Sequence, residues 1–146
     1  MIPLKLVFHD YISIFIHQTD LALTNYVKSK LVPFNLAPEQ NLIMMLLWEK
    51  DGLNQNEIAE KLNKDKTNIA RMVFNLEQKG FIHRVCGEQD RRSLRVFLTR
   101  QGKELGNQII PLAEEFNELV CKGISNEELM EVRRILSKMC SNVQKD

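Results

Sequence analysis

Residues 53–99, LNQNEIAEKLNKDKTNIARMVFNLEQKGFIHRVCGEQDRRSLRVFLT, constrain the fold more than any other stretch of the chain. Asn54 followed three residues later by Glu57 forms a capping box, which opens a short helix. Leu53, Ile58, Ala59 and Leu62 give that helix its inward side. The turn Asn63-Lys64 ends it. Asp65 then caps the next helix, whose Ile69, Met72, Val73 and Leu76 repeat at i, i+3, i+4 and i+7, the spacing of one buried face. Gly80 stops it. Residues 81–86 and 93–99 follow as two strands, with Leu94, Val96 and Leu98 alternating inward. Two short helices across a tight turn, then a hairpin, form a winged helix-turn-helix pattern.

The outward groups of this stretch carry its chemistry. Lys66, Thr67, Asn68 and Arg71 lie on the first two turns of the second helix, where a helix-turn-helix meets base edges in the major groove. Arg or Lys suits guanine, Asn suits adenine, and a Thr methyl suits the thymine methyl. The hairpin tip, Gly87-Glu88-Gln89-Asp90-Arg91-Arg92, is too polar to bury. An arginine on such a tip can enter a narrow minor groove, and Asp90 is near enough in sequence to hold a neighbouring guanidinium. A solvated helix face followed by an ordinary charged turn is the bland alternative, and the two features side by side weigh against it.

Net charge is only +1, but it is unevenly placed. Residues 61–100 hold ten Lys/Arg against four Asp/Glu, while the rest of the chain holds ten against fifteen. A basic segment in an acidic frame suits phosphate binding, where each neutralised phosphate releases counterions. Cys86, Cys121 and Cys140 are too few and too widely spaced for a disulfide framework or a zinc site, so free thiols are expected. No metal, cofactor or catalytic residue is expected: there is no nucleophile elbow, glycine-rich phosphate loop or paired carboxylates. No apolar run reaches the ~20 residues that span a bilayer. The N-terminus lacks a basic leader and a small-residue cleavage site, so it is expected to be mature structure in the cytoplasm.

The flanks read as helices. Residues 10–31 begin at Asp10, a candidate cap, and carry Ile12, Ile16, Leu23, Tyr26, Val27 and Leu31 near helical spacing, with Ile14, Phe15, Leu21 and Ala22 widening the apolar face. Such a helix needs cover on more than one side, from a core or a second subunit. His9 and His17 are expected to be packing residues. Pro33 breaks the helix. Pro38 fits the first position of the next, which carries Ile43, Met44, Leu46, Leu47 and Trp48 and stops at Gly52. Thr99 can cap a later helix through Leu105, Ile109, Leu112, Phe116, Leu119 and Val120, which Pro111 should kink or divide. Ser125 and Glu128 form another capping box before Leu129, Val132, Ile135, Leu136 and Met139.

This order of elements resembles the multiple antibiotic resistance regulator (MarR) family of winged-helix transcription factors. The resemblance lies in NQNEIAEKLNKDKTNIARMVFNLEQKGFI, in the wing motif DRRSLRVFLT and in TRQGKEL. It implies a mainly α fold with a small β-hairpin wing. Residues 33–99 would form the DNA-binding domain, and residues 1–32 and 100–146 the dimerisation helices. It also implies a homodimeric regulator on a pseudo-palindromic duplex, expected to be a repressor. Carried onto matching positions, Thr67, Asn68 and Arg71 would face bases and Lys66 phosphates or bases. Arg92 would enter the minor groove, oriented by Asp90, and Asn54 and Gln55 would donate to a phosphate. Lys64 and Arg91 complete the candidate DNA-contacting set. The family commonly answers to small aromatic or phenolic effectors; here His9, Phe15, Phe34, Trp48 and Phe116 are the candidate lining. Two departures stand out. Ala37 offers no side-chain cap to the second helix. No cysteine precedes Cys86, so the peroxide-sensing mode that uses a cysteine early in the first helix is not expected. The alternatives are a winged-helix protein interaction module without a DNA target and a Cys86-based redox variant of the regulator.

Overall fold

The structure, a computed structural model, describes residues 2–87 and 94–144. Its elements are α1 (Ile12–Leu31), α2 (Pro38–Glu49), α3 (Gln55–Leu62), α4 (Lys66–Gln78), β1 (Ile82–Cys86), β2 (Leu94–Leu98), α5 (Arg100–Val120) and α6 (Asn126–Gln144). The strands form one antiparallel pair, and with α3 and α4 they make the expected mainly helical winged helix-turn-helix. The chain divides into two compact units, Met1–Ile110 and Pro111–Asp146. No helix of the described residues is long and apolar enough to cross a membrane.

The core of the first unit is built around the apolar stripe of α4. Ile69, Val73 and Leu76 are fully buried and Met72 nearly so. They join one cluster with Ile43, Met44 and Leu47 of α2, Ile58 and Ala59 of α3, Ile82 of β1, and Val96 and Leu98 of β2. The hairpin register places Ile82 opposite Leu98, Arg84 opposite Val96 and Cys86 opposite Leu94. Side chains alternate across a strand, so His83, Val85, Arg95 and Phe97 stand on the other side.

Local capping follows the sequence pattern. Asn54 Oδ1 accepts from Glu57 N–H at 2.8 Å, and Glu57 Oε1 accepts from Asn54 N–H at 3.3 Å. Asp65 Oδ1 accepts from Asn68 N–H at 2.7 Å. Thr99 Oγ1 accepts from Gly102 N–H at 3.0 Å and donates to Gly80 O at 2.6 Å. Ser125 and Glu128 make their box. Ala37 gives α2 no side-chain cap, and Gln40 supplies the other half by accepting from Ala37 N–H at 3.2 Å.

Several expectations fail for reasons outside local pattern. Asp10 does not cap α1. It ends a short 3-10 turn, Phe8–Asp10, and α1 starts at Ile12 after Tyr11, which makes no side-chain cap. His9 and His17 are exposed in the single chain, His9 lying edge-on to the Phe8 ring. Pro111 does not divide its helix, which continues as α5 to Val120. Gly52 lies beyond the end of α2, which stops at Glu49.

The start of α5 sits unusually close to the hairpin. A Cβ added at Gly102 would collide with the backbone oxygen of Phe81, and one at Gly106 would lie 2.7 Å from Trp48 Nε1. The Trp48 indole donates to Gly102 O at 3.0 Å. In an open helix, alanine for glycine gains about 1 kcal/mol. Here the collision is with backbone that cannot rotate away, so Gly102→Ala is expected to destabilise by ~1–3 kcal/mol instead. Urea denaturation checks the sign, and a Gly102→Ala chain at least as stable as the parent would contradict the close approach.

Candidate nucleic-acid interface

The turn between α3 and α4 is set by two short-range devices. Asn63 takes the left-handed conformation (φ 53°), and Lys64 N–H bonds back to Ala59 O at 3.0 Å, which closes the last turn of α3. Asp65 then starts α4. With the Ile69–Leu76 stripe turned inward, the opposite side of the helix faces out. Lys66, Thr67 and Arg71 are exposed and Asn68 is half-buried. Arg71 Nη2 donates to Asn68 Oδ1 at 2.6 Å, so the two side chains best suited to reading bases are already aligned with each other. No acidic side chain lies in the first turn of α4.

The other candidates are placed less uniformly. Lys64 Nζ lies 3.1 Å from Glu39 Oε1 on α2. Asn54 spends its Oδ1 on capping, which leaves its amide N–H groups as donors. Gln55 is half-buried, and its Oε1 is buried with no hydrogen-bond partner among the described residues. Asp90, Arg91 and Arg92 lie outside the described residues. Of the candidate effector lining, His9 and Phe15 are exposed, Phe34 and Trp48 pack against the core of the first unit, and Phe116 is half-buried in the second. Cys86 ends β1 and is exposed. Among the described residues no group of three or more His, Cys, Asp or Glu side chains could hold a metal.

Two fasteners hold the far end of α4, and sequence reasoning passed over both. Glu77 Oε1 accepts from Arg84 Nη2 at 2.9 Å and Nε at 3.2 Å, while its Oε2 accepts from Arg84 N–H at 3.0 Å. The guanidinium also covers the Phe74 ring at 5.9 Å. Lys79 Nζ donates to Asn35 O at 2.7 Å and Gln40 Oε1 at 2.8 Å, tying the end of α4 to the start of α2. The only signal for the first pair is opposite charge seven residues apart across a helix-to-strand corner. For Lys79 there is none, because its partners are some forty residues away.

The side-chain hydrogen bond from Arg84 holds the Glu77 carboxyl below its ordinary value of 4.5, with the Arg84 backbone N–H and charge acting in the same direction and burial opposing them. A depressed carboxyl contributes stability that is fully present above its unfolded pKa and disappears as pH falls through the folded one. Glu77→Gln is therefore expected to lower the melting temperature at neutral pH, with the difference from the parent shrinking as pH falls below 4.5 and through the lowered folded value. Thermal melts across this range check it. Other carboxylates titrate in both chains, so a gap that persists undiminished in acid would show that the Glu77 charge is not what stabilises the corner.

The MarR family profile matches residues 36–94. A regulator of Bacillus subtilis, the HTH-type transcriptional regulator YybA, is 28% identical over 112 residues, covering 77% of this chain and 75% of its own. A MarR transcriptional regulator from Methanosarcina mazei Go1 is 31% identical, with a TM-score of 0.71 over 88% of this chain and 95% of that one. The Staphylococcus aureus regulator MepR, solved as a complex with DNA, is 26% identical, with a TM-score of 0.83 over 94% and 99%.

Proposed function

The chain belongs to the MarR family of transcriptional regulators, and from that premise we propose that it is a homodimeric repressor of a pseudo-palindromic duplex, released by a small aromatic effector. The observation that carries the DNA-reading part is the outward face of α4. Thr67, Asn68 and Arg71 stand on it without an acid in the first turn, and the buried stripe behind them prevents the helix from rolling. In this reading Asn68 and Arg71 read base edges, Thr67 meets a thymine methyl, and Lys66 meets a phosphate or base. Asn54, through its free amide, and Gln55 serve a phosphate at the start of α3. Arg92, held by Asp90 and flanked by Arg91, enters the adjacent minor groove. Lys64, which in the free chain pairs with Glu39, lies just before α4 and serves a phosphate.

The dimer reading rests on uncovered apolar surface at both ends of the chain. On α1, Ile12 is 56% exposed and Phe15 63%; on α6, Met130 is 68% exposed and no residue is buried. Side chains of this kind gain about 25 cal/mol per Å² when a partner removes them from water. Residues 1–32 and 100–146 are accordingly the proposed pairing segments. A symmetric dimer presents two α4 helices, which matches half-sites about one helical turn apart. Release by an effector requires that it bind more tightly to a dimer whose α4 helices no longer fit that spacing.

Selection from random duplex DNA should recover an inverted repeat, with affinity falling steeply as salt rises. Arg92→Ala is expected to weaken binding to the selected duplex about ten-fold or more, and an unchanged affinity would sink the wing assignment. Asn68→Ala or Arg71→Ala should cost about 1–3 kcal/mol on the selected sequence and much less on unrelated duplexes. Equal losses on every sequence would make them phosphate contacts. Sedimentation equilibrium should give twice the chain mass, and a monomer at micromolar concentration would contradict the pairing role.

A further inference from the structure

The wing is a two-stranded hairpin, and a hairpin alone has no fixed direction relative to the helix it flanks. We propose that Asp51 and Arg95 are positioning residues that aim the wing. They fasten the outer edge of β2 to the turn leading into α3, and the minor-groove contact proposed for Arg92 depends on that fastening. The proposal rests on the reading of Arg92 given above.

The antiparallel partner β1 serves one edge of β2, and the N–H groups of Val96 and Leu98 point the other way. Val96 N–H donates to Leu53 O at 2.8 Å, as it would to a neighbouring strand. Leu98 N–H donates to Asp51 Oδ1 at 2.8 Å, so a side-chain carboxylate stands where a third strand would offer a carbonyl. The same oxygen accepts from Gly52 N–H at 3.0 Å. Gly52 O in turn accepts from Arg95 Nε at 3.0 Å. Both backbone groups of Gly52 are thus held by the two charged side chains. Asn54, which caps α3, pairs with Arg95 in an isolated bridge, so the tie runs directly into the helix-turn-helix.

Sterics make the tie specific. Gly52 has φ +81°, and a Cβ there would lie 2.8 Å from Phe97 Cε1 and 3.1 Å from Arg95 Nη2. The Arg95 guanidinium lies over the Phe97 ring at 5.2 Å, and Phe97 stacks on His83 of β1 at 5.8 Å and 21°. The planar fork of arginine can donate along its edge to Gly52 O while its face covers the ring; a lysine ammonium cannot do both. Asp51 and Arg95 therefore act together with the ring to hold β2 at one angle to the turn.

The test is a double-mutant cycle on a duplex recovered by selection with the parent protein. Asp51→Ala is expected to weaken binding about ten-fold or more, as Arg92→Ala does, and the double variant should bind no more weakly than Arg92→Ala alone. Asp51→Asn keeps an oxygen acceptor and should bind within about two-fold of the parent. Hydroxyl-radical footprints of Asp51→Ala should lose protection at the outer minor grooves and keep it where α4 sits. Arg95→Lys, a change at an exposed residue that preserves charge, should also lose the outer protection, and it decides the matter if Asp51→Ala fails to fold. Losses that simply add in the cycle, or an Arg95→Lys chain with the parental footprint, would overturn the proposal. Parental affinity in Asp51→Ala beside a crippled Arg92→Ala would overturn it alone. Parental affinity in Arg92→Ala would overturn the wing reading and this inference with it.

Discussion

Everything at the interface depends on the burial of four side chains: Ile69, Met72, Val73 and Leu76. They occupy the meeting point of α2, α3 and the hairpin, and none exceeds 5% exposure. A helix with such a stripe has one rotational setting that keeps it out of water. That setting turns Lys66, Thr67, Asn68 and Arg71 outward as a consequence. That outward face needs no interaction of its own to be presented. Its own contact, Arg71 to Asn68, only aligns side chains already facing the same way.

Burial sets the roll of α4 but not the position of its ends, and polar fasteners complete the job. The N-terminal end is held by Asp65 capping and by Lys64 on Glu39. The C-terminal end is held by Lys79 on Asn35 and Gln40, and by the three-bond grip of Glu77 on Arg84. Lys64 and Lys79 reach adjacent residues of α2, Glu39 and Gln40, from opposite ends of α4. The Glu77–Arg84 bonds and the Lys79–Gln40 bond are partly buried and so less diluted by water than the exposed Lys64–Glu39 pair. The hairpin then inherits its position from Arg84 on one strand and from the Asp51–Gly52 turn on the other.

The legible parts of the sequence were those whose physics is short-ranged. Asn54 with Glu57, Asp65, Thr99 and Ser125 with Glu128 all cap as their spacing implied, because cap and partner are at most three residues apart. The apolar stripes of α3 and α4 were legible because periodicity reports a face directly. The failures share the opposite character. Asp10 had cap chemistry, but the chain before it folds into a 3-10 turn. Lys64 gave no local sign of its partner Glu39, which α2 brings beside it.

The sequence by itself therefore determined the type of molecule: a capped helix-turn-helix with a basic hairpin in an acidic frame, between flanks rich in apolar residues. It could do so because caps, periodicity and charge clustering are properties of neighbours along the chain. Only the tertiary structure decided which cations are free and which are tied. Glu39 and Lys64 are 25 residues apart, Lys79 and Asn35 are 44, and Asp51 and Leu98 are 47. No local rule joins them. They meet because burying the α4 stripe draws α2, the turn at Gly52 and the wing strand onto one core, and the polar groups that this brings together must then find partners or remain unsatisfied.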